Sequence, residues 1–166
     1  MSITCAMPAD IPTLTKLVNS AYRGNGGWTN EAHLLEGART DEKGIAELME
    51  DEDAMVLKNT DQEDVLTGCV YLKKAGNILH LGMLSVSPDV QAKGIGKDLL
   101  GAALAYAREK DCTAIRITVI SARTELIAWY ERQGYVRTGE MEPFHAGEKF
   151  GIQKEPLELV VLERKV

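Results

Sequence analysis

Seven residues, Gln91-Ala92-Lys93-Gly94-Ile95-Gly96-Lys97, have the types and spacing to hold an anion. They follow a strand-like apolar run, Ile78 to Val86, and lead into a helix-patterned segment, Leu99 to Lys110. The first turn of a helix has N–H groups without intrahelical partners and a partial positive charge, so it attracts phosphate. Glycine at 94 and 96 removes the Cβ atoms that would keep a phosphate at a distance. Residues 91–97 are therefore expected to cradle a phosphate-bearing ligand. Two familiar loops are excluded. A Walker A loop needs Gly and Ser or Thr where this chain has Gln91 and Asp98. A dinucleotide fingerprint needs a third Gly where it has Leu99.

What remains is Gln-x-x-Gly-x-Gly behind a strand and Val86-Ser87-Pro88. This resembles the acyl-CoA pyrophosphate loop of the GNAT superfamily, the acyl-CoA-dependent N-acyltransferases. A second stretch, Trp129-Tyr130-Glu131-Arg132-Gln133-Gly134-Tyr135, is similar to the GNAT helix that ends in Tyr-Glu-x-x-Gly-[Phe/Tyr]. The resemblance implies an enzyme that moves the acetyl group of acetyl-CoA to a primary amine by direct attack in a ternary complex. It implies no metal. Tyr130 would lie beside the CoA sulfur and protonate the departing thiolate. The Leu84 N–H would bind the thioester oxygen and stabilise the oxyanion. The cofactor would run along Leu84, Ser85 and Val86, like an added strand. Its pyrophosphate would lie on Gln91, Ala92, Lys93, Gly94, Ile95, Gly96 and Lys97.

The family also often has an Asn seven residues before the Tyr and an Ala four before it. Here these are Arg123 and Leu126. Arg123 would then meet a phosphate or an acidic substrate group, or stand in solvent. The base that must deprotonate an alkylammonium falls, by the spacing of histone-type members, on His80. An imidazole exchanges protons near neutral pH. Glu31 and His145 are rivals. The acceptor pocket would draw on Tyr22, Trp28, Glu31, Arg39, Phe144, His145 and Phe150. For each aromatic, a plain packing role stands as the alternative. Two rival functions also remain: a non-catalytic acyl-CoA-binding sensor, and a nucleotide-binding or phosphotransfer domain built on residues 91–97.

The elements that must position these groups can be read from pattern. Ser2–Ala6 is a first strand. Asp10 is a candidate N-cap, with Pro12 in the first turn of a helix whose stripe is Leu14, Leu17, Val18 and Ala21. Gly24-Asn25-Gly26-Gly27 ends it. Residues 28–40 read as loop with a short helical turn. Thr40 or Asp41 caps a second helix ending near Glu50. Strands follow at Ala54–Lys58, Val65–Lys73 and Ile78–Val86, in an antiparallel meander. After the glycine loop, the helix buries Leu99, Leu100, Ala103, Leu104 and Ala107. Then come a strand at Ala114–Ile120 and a helix at Thr124–Gln133 closed by Gly134. A strand restarts at Tyr135–Val136, residues 139–155 form a linker, and Leu157–Leu162 is the last strand. The order βααβββαβαββ predicts an α+β, mixed α/β chain. Its central sheet is mixed but mostly antiparallel and is flanked by helices, with one crossover joining parallel strands. This is the order of the GNAT fold.

The 166 residues suffice for one domain, 1–166. No apolar run reaches membrane-spanning length, and the N-terminus lacks a signal-peptide pattern. A net charge of −6 argues against a nucleic-acid partner. Much of the acidity lies between Asp41 and Asp53, where it is a solvated helix face or an attractor of cationic amines. Cys5, Cys69 and Cys112 lack metal-type spacing and read as reduced thiols of a cytoplasmic protein, serving packing. The expected partner is a small amine or amino-acid-like molecule, with no membrane and no nucleic acid; a homodimer is left open.

Overall fold

The computed structural model describes residues 2–23, 35–36, 39–90, 93–143, 152–153 and 157–166. A short 3-10 turn, Pro8–Asp10, separates β1 (Ser2–Cys5) from α1 (Ile11–Arg23). Asp10 therefore does not cap α1. Its carboxylate instead accepts from the Met7 N–H at 2.8 Å and pairs with Lys58 at 2.8 Å. The predicted stripe of α1 is buried in full. Asp41 caps α2 (Glu42–Glu50) by accepting from the Gly44 N–H at 2.7 Å. Between these helices β2 (Leu35–Glu36) is a two-residue strand within the segment 28–40 read as loop with a short helical turn, of which residues 28–34 and 37–38 lie outside the described residues.

Strands β3 (Ala54–Thr60), β4 (Leu66–Ala75) and β5 (Ile78–Val86) form the meander. The two-residue turn from β4 to β5 has Gly76 in the left-handed region, which glycine enters without steric cost. Helix α3 (Ile95–Glu109) carries the chain to β6 (Ala114–Ile120), and α4 (Thr124–Arg132) leads to β7 (Val136–Pro143). Strand β7 occupies part of the expected linker. So does β8 (Ile152–Gln153), which pairs with β2. Strand β9 (Glu158–Lys165) inserts between β6 and β7, giving the sheet order β1-β3-β4-β5-β6-β9-β7. Among the described residues only β5 and β6 are parallel neighbours, joined across α3 as predicted.

The sheet separates two cores. Helices α3 and α4 cover one face, where Leu57, Val70, Leu79, Leu99, Ile117 and Ile127 are among the buried residues. Helices α1 and α2 cover the other, with Leu14, Val18, Ile45, Val56, Cys69 and Met83. Two of the three cysteines serve this packing; Cys5 is exposed instead. Among the described residues no helix is long and apolar enough to cross a membrane, and no group of His, Cys, Asp or Glu is placed to hold a metal ion.

Candidate active site

The site starts with a strand that comes apart from its neighbour. Strand β5 pairs with β6 only at Ile78, Leu79 and His80, opposite Ala114, Ile115 and Arg116. Beyond that point β6 remains bonded to β9 as far as Ile120, and β5 remains bonded to β4. A seam therefore opens beside residues 81–86. The Ser87 N–H bonds to the Thr67 carbonyl at 2.8 Å, so Ser85, two residues back, also faces β4. By the alternation of an antiparallel ladder, the backbone groups of Leu84 and Val86 face the seam.

A β-bulge accompanies the opening. Cys69 pairs with Ser85 and Tyr71 with Gly82, so Met83 and Leu84 together stand opposite Val70. Met83 has a φ of 55°, in the left-handed region, at a cost of about 1–2 kcal/mol for a side chain of this kind. The bulge reverses the faces of the strand. Leu79 and Leu81 pack toward α3, Met83 packs toward α1, and Leu84 and Val86 return to the α3 side. The Met83 carbonyl accepts from Ser85 Oγ at 3.1 Å and from Cys69 Sγ at 3.9 Å. Burial pushes the Cys69 thiol up to about 12, with the Ser85 hydrogen bond pulling the other way. Ser85, expected among the cofactor contacts, is 2% exposed, with side chain and N–H turned from the seam; it fastens the bulge.

At the end of the seam α3 begins four residues earlier than its apolar pattern suggests, so Ile95, Gly96 and Lys97 form its first turn rather than a loop. Gly94 is the N-cap, with a φ of 79° and no side chain to offer the turn. The N–H groups of Ile95, Gly96 and Lys97 thus face outward at a helix N-terminus, the arrangement that suits phosphate. Gln91 and Ala92 lie outside the described residues. A glycine missed in the sequence holds the turn in place. A Cβ on Gly68 of β4 would stand 2.9 Å from Ile95 Cγ2 and 3.1 Å from Leu99 Cδ1. Only a bare backbone lets α3 come so close, and an isolated glycine inside a strand pattern is the signal that was available.

Helix α4 completes the site. A Cβ on Gly96 would lie 3.3 Å from the Trp129 ring and 3.9 Å from Val86 Cγ2, so this glycine joins the seam, α3 and α4. The helix ends in a Schellman motif. The Gly134 N–H donates to Glu131 O at 3.1 Å and the Tyr135 N–H to Tyr130 O at 3.1 Å, with Gly134 at a φ of 96°. The motif brings the Tyr135 ring against Tyr130, centroids 5.6 Å apart and edge to face; Trp129 stands edge to face on it at 5.0 Å. Tyr130 is 5% exposed. Burial raises its pKa well above 10; the neighbouring Tyr22 and Tyr135 add to this, and Arg123 opposes it.

His80 lies in the closed part of β5, half-buried, with Lys73 and Arg116 as its cross-strand neighbours. Four residues of strand, about 13 Å, separate it from Leu84. Tyr22 is on α1 and close enough to Tyr130 to act on its phenol. Arg123 is buried rather than solvated, and Leu126 is partly buried against the α3 core. Trp28, Glu31, Phe144, His145 and Phe150 lie outside the described residues. Of the expected site residues, Leu84, Val86, Gly94, Ile95, Gly96, Lys97, Tyr130 and Tyr22 lie in one region, and His80 lies apart from it.

Residues 26–135 match the Acetyltransferase (GNAT) family. The chain belongs to this family. Among curated proteins the GNAT chain is similar to mycothiol acetyltransferase of Propionibacterium freudenreichii, 31% identical over 112 residues. That match takes in 62% of this chain and 35% of the relative, so the chain spans only about a third of that protein's length. Two solved structures carry the fold over nearly the whole chain. One is a ribosomal-protein-alanine N-acetyltransferase from Brucella melitensis, with TM-score 0.74, 19% identity, and 100% of both chains covered. The other is a phosphinothricin acetyltransferase from Sinorhizobium meliloti in complex with AcCoA, with TM-score 0.73 and 17% identity, covering 99% of this chain and 88% of that one. These likenesses extend the GNAT fold to the ends of the chain.

Proposed function

We propose that this GNAT chain is an N-acetyltransferase that transfers the acetyl group of acetyl-CoA to a primary amine, by direct attack in a ternary complex. The observation that carries the reading is the seam beside residues 81–86, with an uncapped helix N-terminus at its end and Tyr130 buried against α3's neighbour Trp129. The AcCoA held by the Sinorhizobium relative supports the same co-substrate here. The pantetheine arm would lie along the seam, and the pyrophosphate on the first turn of α3. The Leu84 N–H, turned to the seam, would hold the thioester oxygen as it gains charge.

Tyr130 calls for a sharper role than simple proton transfer. Burial keeps the phenol protonated, yet it also makes it a weaker acid than a free phenol. Complete transfer to a thiolate, whose reference pKa is about 8.5, then runs uphill. Donating a hydrogen bond to the thiolate as it develops does not, and that is the role assigned to it. His80 would take the amine's proton through water, given its distance along the strand. The cysteines, free among the described residues, fit a reducing, cytoplasmic setting, and residues 1–166 act as a single domain.

The test is incubation with acetyl-CoA and a panel of primary amines, following free thiol and acetylated amine together. Equal release of both, with intersecting double-reciprocal lines, is expected. Tight CoA binding without thiol release would make the chain a sensor. Competition of CoA by nucleotides would favour the phosphotransfer reading.

A further inference from the structure

The bulge takes the peptide between Met83 and Leu84 out of the paired register. Cys69 with Ser85 and Tyr71 with Gly82 are the flanking pairs, and Met83 and Leu84 both stand opposite Val70. Side chains grip this peptide by its carbonyl end. The Met83 carbonyl accepts from Ser85 Oγ at 3.1 Å and from Cys69 Sγ at 3.9 Å. Both donors are buried, and as a cross-strand pair they lie on one face of the sheet. A thiol is a weak donor, so the hydroxyl is the main tie.

What holds the carbonyl also holds the amide. A peptide is planar and trans, so the Met83 C=O and the Leu84 N–H share one plane and point in opposite directions. The carbonyl is turned to Ser85 and Cys69, and the N–H is turned to the seam. The plane adjoins a strained residue, since Met83 has a φ of 55°. Such a conformation persists only where the surroundings over-determine it. Relaxation at Met83 would rotate the carbonyl, and the Leu84 N–H would swing with it. A hydrogen bond to the carbonyl also polarises the peptide and makes its N–H a stronger donor.

We propose that Ser85 is a positioning residue for acetyl transfer: through the Met83 carbonyl, its hydroxyl aims the Leu84 N–H at the thioester oxygen, with Cys69 as a second, weaker tie. This rests on the acetyltransfer proposed above. An oxyanion donor is effective because it stands in place before charge develops, so nothing need reorganise during the reaction. In this chain a side chain turned away from the seam supplies that order.

The experiment follows the Leu84 amide by two-dimensional amide NMR in the parent, Ser85→Ala and Ser85→Cys, first with CoA and then with acetyl-CoA. The two ligands differ only in the acetyl group, so the difference between their spectra reports on the thioester oxygen. In the parent the Leu84 proton should move downfield with acetyl-CoA and not with CoA. Ser85→Ala should lose most of that shift while keeping its CoA affinity. With an amine accepted in the panel above, its kcat should fall by about 5- to 50-fold, less than the roughly 100- to 1000-fold for losing an oxyanion donor outright. Ser85→Cys, with a weaker donor of nearly the same size, should fall between the two, and it decides by the same shift if Ser85→Ala fails to fold. A Leu84 shift and kcat in Ser85→Ala equal to the parent's overturn the proposal. So does a loss of CoA affinity alongside them, which would mark a general loosening of β5. An acetyl-specific shift missing in the parent removes Leu84 from the thioester and Ser85 with it, while thiol release with the amines would still uphold the acetyltransfer reading.

Discussion

Ile78–His80 and Leu81–Val86 belong to one strand and do different work. The first three residues are bonded to β4 on one side and β6 on the other, with Leu79 fully buried. Among the described strands the last six pair with β4 and not with β6, contain the bulge, and turn the backbone of Leu84 toward a gap. The closed part contributes stability. The open part has no ladder to β6 and accepts strain at Met83, and it is the stretch to which the proposal above assigns the cofactor. A site of this kind is a controlled failure of sheet pairing.

The contrast can be broken most forcefully at the open end. Gly94→Glu adds bulk and negative charge where the phosphate would sit, and CoA affinity should fall by at least about 100-fold, read by calorimetry. Gly94→Ala carries the same left-handed strain, about 1–2 kcal/mol, without the charge, and separates strain from repulsion. Unchanged CoA affinity in Gly94→Glu would remove the cofactor from α3. The counterpart in the closed part is Leu79→Ala. It should lower stability by about 2–5 kcal/mol in denaturant unfolding and leave the CoA affinity of the folded protein alone.

Tyr130→Phe should lower kcat by about 10- to 10⁴-fold with acetyl-CoA affinity nearly kept. The phenol must be protonated to donate, and burial raises its pKa above 10. The parent's kcat should therefore not fall on the alkaline side before about pH 10, the reference value for a phenol. A fall centred near pH 8 would exclude Tyr130 as the donor.

Gly68→Ala tests whether the sheet sets the height of α3. The added methyl would meet Ile95 and Leu99, costing about 1–3 kcal/mol by overpacking, and should weaken CoA binding several-fold. A stability loss with unaltered binding would show that the first turn of α3 tolerates being lifted.

The smallest effect is expected of His80→Ala, since its position in the closed part reaches the amine only through water. If it relays the proton, the acid limb of the kcat/KM profile should shift or vanish in the variant, with one acceptor used throughout. Superimposed profiles would leave the open half of β5 and Tyr130 with all of the chemistry.

How much of this was legible in the sequence differs between the same two regions. The bounds of β5 and β6, the stripe of α1 and the Gly134 stop are local patterns, and each appears as read; of the two caps offered for α2, Thr40 or Asp41, Asp41 is the one used. The bulge is not local, because an extra residue exists only relative to Val70 on the partner strand. Its one trace is Met83-Leu84, two apolar neighbours that interrupt the alternation. The early start of α3 was hidden by two glycines that weaken helix propensity; packing of Ile95 over Gly68 supplies what propensity lacks. Asp10 was read as a cap from its type, but Lys58 of β3 and the Met7 N–H compete for it. Arg39 and Arg123, whose Cζ atoms lie 5.2 and 5.6 Å from the centroid of the Tyr22 ring, meet beyond the reach of any pattern, since 84 positions separate the two in the chain.

The bulge also has a bearing on how this strand can change over time. Remove Met83 on paper, and Leu79, Leu81, Leu84 and Val86 fall into unbroken alternation on the α3 side. The left-handed residue would be gone and the ladder to β4 would run without interruption. A single-codon deletion thus offers this chain a better-ordered sheet, and it would remove the bend and extra twist that a bulge gives the strand where β5 parts from β6. Random deletion libraries screened only for solubility should tolerate that loss, and the same libraries screened for acetyl transfer should reject it.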